Sequence, residues 1–206
     1  MIRVLRIAVF GISRSGKDYT IEGAVKLLSE RRRKFSHVSL IKEVYALLDG
    51  RKLSQMGDNE KRALMEEARV NIDSKSAMSN LIVDEHYSFP HTYGGKVIHN
   101  GYVDEKIPFR EIYDDELDLL YEVVFDEAEL EKYDKVFFLD IEPAIVLDRF
   151  RKSEGCKCNN DITLRDVRSW ILFEKYNLMS LCSKHRIPFN CLKGSDMTSE
   201  QLVDRI

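Results

Sequence analysis

The sequence predicts an α/β domain built on a parallel sheet with helices on both faces, and three observations carry that expectation. Short apolar runs, "VLRIAVF" over 4–10, "NLIVDEH" over 80–86 and "KVFFLD" over 135–140, alternate with amphipathic stretches of helical period. The first run passes directly into a glycine loop that opens a helix, the order of a strand–loop–helix unit. A length of 206 residues, with 44% apolar and 33% charged side chains, suits one domain that buries most of its apolar surface. In such a sheet, ligands gather at the carboxyl ends of the strands.

Each element follows from its local pattern. Residues 17–32 place Ile21, Ala24, Val25 and Leu28 at helical spacing. "FSHVSL" over 35–40 predicts a second strand, and a short helix over 41–49 stops at Asp49-Gly50. A helix over 58–79 carries Leu64, Met65, Ala68 and Ile72 on one face. After the strand at 80–86, "KVIHNGYVDE" sets Asn100-Gly101 between two strand-like arms, the preference of a type I′ hairpin. A helix is expected over 115–131, the strand over 135–140, and a helix from Pro143 to about Arg151, proline suiting its first turn. A polar stretch over 151–162 reads as a lid. A helix over 163–185, a strand over 187–192 and a last short helix, with Thr198 and Gln201 as a capping box, complete the chain. The whole is expected to be a single domain over 1–206, with an insertion at about 87–132.

"GISRSGKDYT", residues 11–20, nearly spells G-x-x-x-x-G-K-S/T. Backbone N–H groups between Gly11 and Gly16 can converge on phosphate oxygens, and Lys17 can reach the transferred phosphate. Gly11, Ser13, Arg14, Ser15, Gly16, Lys17, Asp18 and Tyr19 are thus the expected nucleotide-binding residues, with ATP as the nucleotide. Asp18 stands where a Mg2+-binding hydroxyl usually stands; a carboxylate can hold the ion directly or through water, and an acid suits the first helical turn. Asp84, ending an apolar strand, reads as a second Mg2+ carboxylate or as a turn cap, with Asp140 as its competitor. Glu85 and His86 follow it, an acid and an imidazole near the loop.

Phosphoryl transfer works by positioning and charge neutralisation, so a small kinase needs arginines that close over the phosphates. Arg149 and Arg151, just before the lid, are the expected pair; Arg165 and Arg168 could face the cleft from the next helix. Cys156-x-Cys158 lacks the paired arms of a structural zinc site.

The "SGKD" ending resembles the phosphate loops of some deoxynucleoside-monophosphate kinases and of one class of phosphomevalonate kinases. In motif order, "GISRSGKD", the helix into "NLIVDEH", and "KVFFLDIEPAIVLDRFR" before a short lid resemble the archaeal-type adenylate kinases of the P-loop nucleotide-kinase superfamily, over 1–86 and 133–192. The resemblance implies a P-loop fold with a five-stranded parallel core, ATP and Mg2+ at the loop, a mobile lid, and an acceptor pocket between strands two and three. Lys17, Asp84, His86, Arg149 and Arg151 fall on that family's functional positions, whereas Asp18 and the long 87–132 segment depart from its pattern.

Three functions fit these residues. A nucleoside-monophosphate kinase needs an arginine-lined acceptor pocket, for which Lys42, Arg51, Arg62 and Arg69 are available. A kinase of a hydroxyl, on a small molecule or a polynucleotide end, needs a carboxylate base such as Asp84 or Glu85. A binding module would use ATP without an acceptor. A net charge of −3 disfavours nucleic acid as a partner, and "RRRK" at 31–34 reads as a solvated helix end. The apolar start is too short for a signal peptide, no run of about 18 apolar residues could span a membrane, and the few, irregularly spaced cysteines suit the cytoplasm.

Overall fold

The structure, a computed structural model, describes residues 4–52, 56–76, 79–90, 92–93, 96–97, 121–153, 162–194 and 198–206. Five parallel strands form its sheet: β1 (Arg6–Phe10), β2 (Phe35–Ser39), β3 (Asn80–Asp84), β8 (Lys135–Asp140) and β9 (Phe189–Lys193), in the order β2-β3-β1-β8-β9. All five residues of β1 are buried, as expected for a central strand covered on both faces. Phe10, on β1 itself, and Phe137 and Phe138 on β8 are the largest fully buried side chains among the described residues.

Helix α1 (Lys17–Glu30) packs on β1, β2 and β3 and against α7 (Thr198–Arg205). Helix α2 (Leu40–Leu47) leaves β2 directly and packs against α3 (Asp58–Ser76), which delivers β3. Helix α5 (Pro143–Lys152), with proline in its first turn, packs against α6 (Leu164–His185), whose N-terminus is closed by a reciprocal Thr163–Asp166 capping box. At the last helix, Thr198 and Gln201 spend their side chains elsewhere: Thr198 Oγ1 meets Thr20 Oγ1 at 2.8 Å, and the Gln201 amide bonds both backbone groups of Lys193.

The helix expected over 115–131 is corrected by the structure. Tyr121–Val123 form a strand, β7, paired antiparallel with β4 (Ser88–Pro90), and among the described residues of that span only Glu127–Leu130 are helical, as α4 behind an Asp126 cap. Pairing with β4 outweighs a helical pattern here, because Tyr121 is buried in an aromatic stack on Phe173, 4.2 Å between ring centroids. Thr92–Tyr93 (β5) and Lys96–Val97 (β6) form a second small antiparallel pair. Asn100-Gly101, Cys156 and Cys158 lie outside the described residues. Within the described residues no helix is long and apolar enough to cross a membrane.

Candidate active site

The carboxyl ends of β1, β2 and β3 meet at the loop Gly11–Gly16. Gly16 caps α1 in the left-handed region at φ 100°, where a Cβ would stand 2.9 Å from Arg149 Nη1. Gly11 (φ 151°) leaves room for Ser15 Oγ and Leu139. Arg14 also takes a positive φ, which turns the loop back toward the helix. Lys17 is buried: its Nζ donates to the Gly11 carbonyl at 2.5 Å and lies 3.6 Å from Asp84 Oδ1. The lysine therefore sits at the centre of the loop, facing the end of β3.

Register places the other groups. Ser39 pairs with Asp84, and His37, two residues earlier on β2, shares Ser39's face. Ser39 Oγ lies 3.4 Å from Asp84 Oδ2, and His37 Nε2 lies 3.7 Å from Asp18 Oδ1. Asp18 is half-exposed and accepts from Lys42 Nζ at 2.6 Å. Burial pushes the Asp84 carboxyl above its ordinary value, against the pull of the Lys17 ammonium. Burial holds the His37 imidazole below its ordinary value, so it is neutral near pH 7.

One ligand atom from each of Asp18, His37 and Asp84 lies within 4.8 Å of the others. Asp84 Oδ1 is buried without a hydrogen-bond partner among the described residues. Two carboxylates, one of them with an unbonded oxygen, fit a divalent cation at the loop.

Asp18 and Asp84 open on a cavity of about 1440 Å³, whose lining does not include His37. Its loop end is lined by residues 13–20, Asp84 and Arg149; its far end by Lys61, Arg62, Arg69, His86, Phe89 and Phe125. Arg149 crosses from α5 to donate to the carbonyls of Ser15 at 2.6 Å and Arg14 at 3.2 Å. Tyr19 is exposed on the cavity wall.

Not every expected residue reaches this cavity. Arg151, Arg165 and Arg168 are exposed and lie outside its lining, Asp140 pairs with Lys175 at 2.7 Å, and Arg51 donates to the Leu48 carbonyl. Glu85 is withdrawn beneath the cavity floor: it accepts from Tyr133 at 2.5 Å and lies 3.6 Å from Arg69. Burial pushes its carboxyl up and the Tyr133 hydroxyl well up. His86 is on the cavity, its ring 4.9 Å from that of Phe89, and burial holds its imidazole well below the ordinary value.

Sequence motifs do not mark His37, Phe89 or Tyr133. The signal for His37 was its place two residues before the end of a strand whose partner ends in Asp84; the other two have no local signal.

No family model matches the chain, and no curated protein matches it by sequence. Among solved structures, a shikimate kinase from Bacteroides thetaiotaomicron superposes with a TM-score of 0.53 at 11% identity, over 98% of this chain and 96% of that one. A shikimate kinase from Acinetobacter baumannii, in complex with shikimate, superposes with a TM-score of 0.50 at 11% identity, over 98% and 90%. Loop, sheet order and these superpositions together give the chain the P-loop, nucleotide-kinase-like fold.

Proposed function

We propose that the chain is an ATP-dependent phosphotransferase acting on a small-molecule acceptor. One observation carries this: a phosphate loop whose lysine lies 3.6 Å from a buried strand-end carboxylate, both on a cavity that extends past the nucleotide end to Arg62, Arg69, His86 and Phe89. In this reading the loop backbone and Lys17 hold the phosphates of ATP, and Arg149 fixes the loop from α5 and adds positive charge at its mouth. Asp18 and Asp84 hold the divalent cation, which when bound neutralises developing phosphate charge.

The acceptor group is a hydroxyl in the reading we favour. Asp84 is the carboxylate that can orient that hydroxyl beside the cation, since it faces the cavity, whereas Glu85 is spent on Tyr133. The two solved kinases of this fold are named for a small hydroxylated acid, which supports a small-molecule acceptor. Arg62 and Arg69 on the cavity wall favour a second reading, a nucleoside monophosphate as in adenylate-type kinases, because an anionic acceptor calls for guanidinium groups.

Labelled ATP with Mg2+, offered to panels of hydroxylated small molecules, nucleosides, nucleoside monophosphates and oligonucleotide ends, tests both. Label on a small hydroxyl compound supports the first reading, and label on a monophosphate the second. Stoichiometric ATP binding with no acceptor labelled overturns the kinase reading in favour of a binding module.

A further inference from the structure

The cation pocket contains a nitrogen ligand as well as oxygens. His37 and Ser39 project from one face of β2, Asp84 from the adjoining end of β3, and Asp18 from the first turn of α1. Three elements thus converge on one point, where ligand atoms of Asp18, His37 and Asp84 lie within 4.8 Å of one another.

Two of the three have buried atoms that lack hydrogen-bond partners among the described residues, Asp84 Oδ1 and His37 Nε2. The Asp84 side chain is only 6% exposed, so an unbonded oxygen there is costly unless something charged meets it. Lys17 at 3.6 Å supplies attraction but not a hydrogen bond. The ion pair that occupies Asp18, with Lys42, is largely solvent-exposed and breaks at little cost.

We propose that Asp18, His37 and Asp84 form a mixed nitrogen–oxygen site that takes a first-row transition dication in preference to Mg2+, with Mn2+ as the paramagnetic probe of that class. Mg2+ demands near-octahedral oxygen ligation and gives up its waters reluctantly, whereas an imidazole nitrogen suits transition ions. Metal–ligand bonds of about 2.1 Å put neighbouring ligand atoms roughly 3 to 4 Å apart. The 3.7 Å between His37 Nε2 and Asp18 Oδ1 already meets that spacing, and the half-exposed Asp18 side chain can shift toward the buried pair once its exposed pair with Lys42 opens. Three protein ligands leave the remaining positions for water or phosphate oxygens. The inference deepens the phosphotransferase reading, because the site belongs to the loop, yet the ion's binding is measured with no nucleotide present.

The experiment titrates nucleotide-free protein with Mn2+, follows the loss of the free-ion paramagnetic signal, and then competes with Mg2+. Wild type is expected to bind Mn2+ at least about tenfold more tightly than Mg2+, and pulsed resonance of the bound ion is expected to show coupling to an imidazole nitrogen. His37→Phe is expected to abolish that coupling and weaken Mn2+ by about tenfold or more, with Mg2+ changed by less than about twofold. Should His37→Phe not fold, His37→Gln, which keeps a polar side chain on the strand, removes the same nitrogen coupling. Bound Mn2+ without imidazole coupling, equal affinity for the two ions, or no binding without nucleotide each overturns the proposal. Mn2+ bound as proposed by a protein that labels no acceptor overturns the kinase reading alone.

Discussion

Lys17 reaches across the loop it opens, to Gly11 on one side and Asp84 on the other, and no second lysine lies within ion-pair reach of Asp84 among the described residues. Lys17→Met keeps the apolar stem and removes the charge. Asp84, already made more basic by burial, can then take a proton rather than remain an unpaired buried anion. Phosphate transfer is expected to fall about 10²- to 10³-fold while cooperative melting is kept; turnover near wild type would sink the phosphate-loop reading. The two helix-end arginines should separate in the same assay. Arg149 holds the carbonyls of Arg14 and Ser15, and Arg149→Ala is expected to lower single-turnover transfer by about 10²-fold or more with a much smaller change in ATP affinity. Arg151 is exposed and outside the cavity, and Arg151→Ala is expected to lose less than about tenfold. An equal loss in both variants would mean that Arg151 reaches the phosphates in a closed state.

At the scale of elements, the β4–β7 pair is fastened to α6 by a buried carboxylate. Glu174 accepts from both Ser88 N at 3.0 Å and Ser88 Oγ at 3.2 Å, and Trp170 Nε1 donates to the same hydroxyl. Burial raises the Glu174 carboxyl from its ordinary 4.5 to about 7. A carboxyl whose folded-state value is raised keeps its proton when the unfolded chain has lost it. Its contribution is therefore fully present below about pH 4.5 and is lost as pH rises through 7, on the order of 3 kcal/mol in all. Glu174→Gln keeps an acceptor for Ser88 and carries no charge; its melting temperature is expected to overtake wild type above pH 7 and to lose this dependence between pH 4.5 and 7, as read by thermal melts across that range. This fastening was not legible in the sequence, for the Ser88–Glu174 contact spans 86 residues and each partner looks ordinary in its own segment. What was legible is what repeats locally: the five apolar strands, the glycine loop and the proline-led α5. The 115–131 segment misled because its apolar spacing suits a helix until Tyr121 and Val123 find a strand partner in β4, a choice made by distant residues. Site residues divide the same way: Lys17 and Asp84 announce themselves by motif, whereas His37 becomes visible only through the register that sets Ser39 beside Asp84.

Across the whole molecule, the sheet order turns a chain-long sequence of strands into one reaction edge. β1 lies between β3 and β8, so the phosphate loop leaving β1 is flanked by Asp84 on one side and by the Pro143 helix that carries Arg149 on the other. The segment after β3 then supplies the far wall of the cavity through Phe89, Val123 and Phe125. Beneath that wall a partly buried ionic network ties α3 to the sheet: Arg6 pairs with Asp73, and Arg69 lies 3.5 Å from Glu129 and 5.7 Å from the Phe125 ring centroid. Arg69 is thereby fixed as a partly satisfied cation facing the cavity, its Nη1 without a hydrogen bond among the described residues. A long segment that leaves the sheet at a ligand-binding edge is more often functional than idle, so the proposed phosphotransferase reading assigns this wall to the acceptor. Phe89 is the side chain that tests it, since its ring packs on His86 at 4.9 Å and on Trp170 at 6.5 Å. Phe89→Ala is expected to raise the acceptor KM by about tenfold, from the loss of roughly 1 to 2 kcal/mol of ring contact, while ATP affinity stays within about twofold. Kinetics with varied acceptor and ATP, together with sedimentation of the variant, separate the two uses of this wall. A changed assembly mass with unchanged acceptor KM would assign it to contact between copies of the chain, whereas a raised KM at constant mass assigns it to the acceptor.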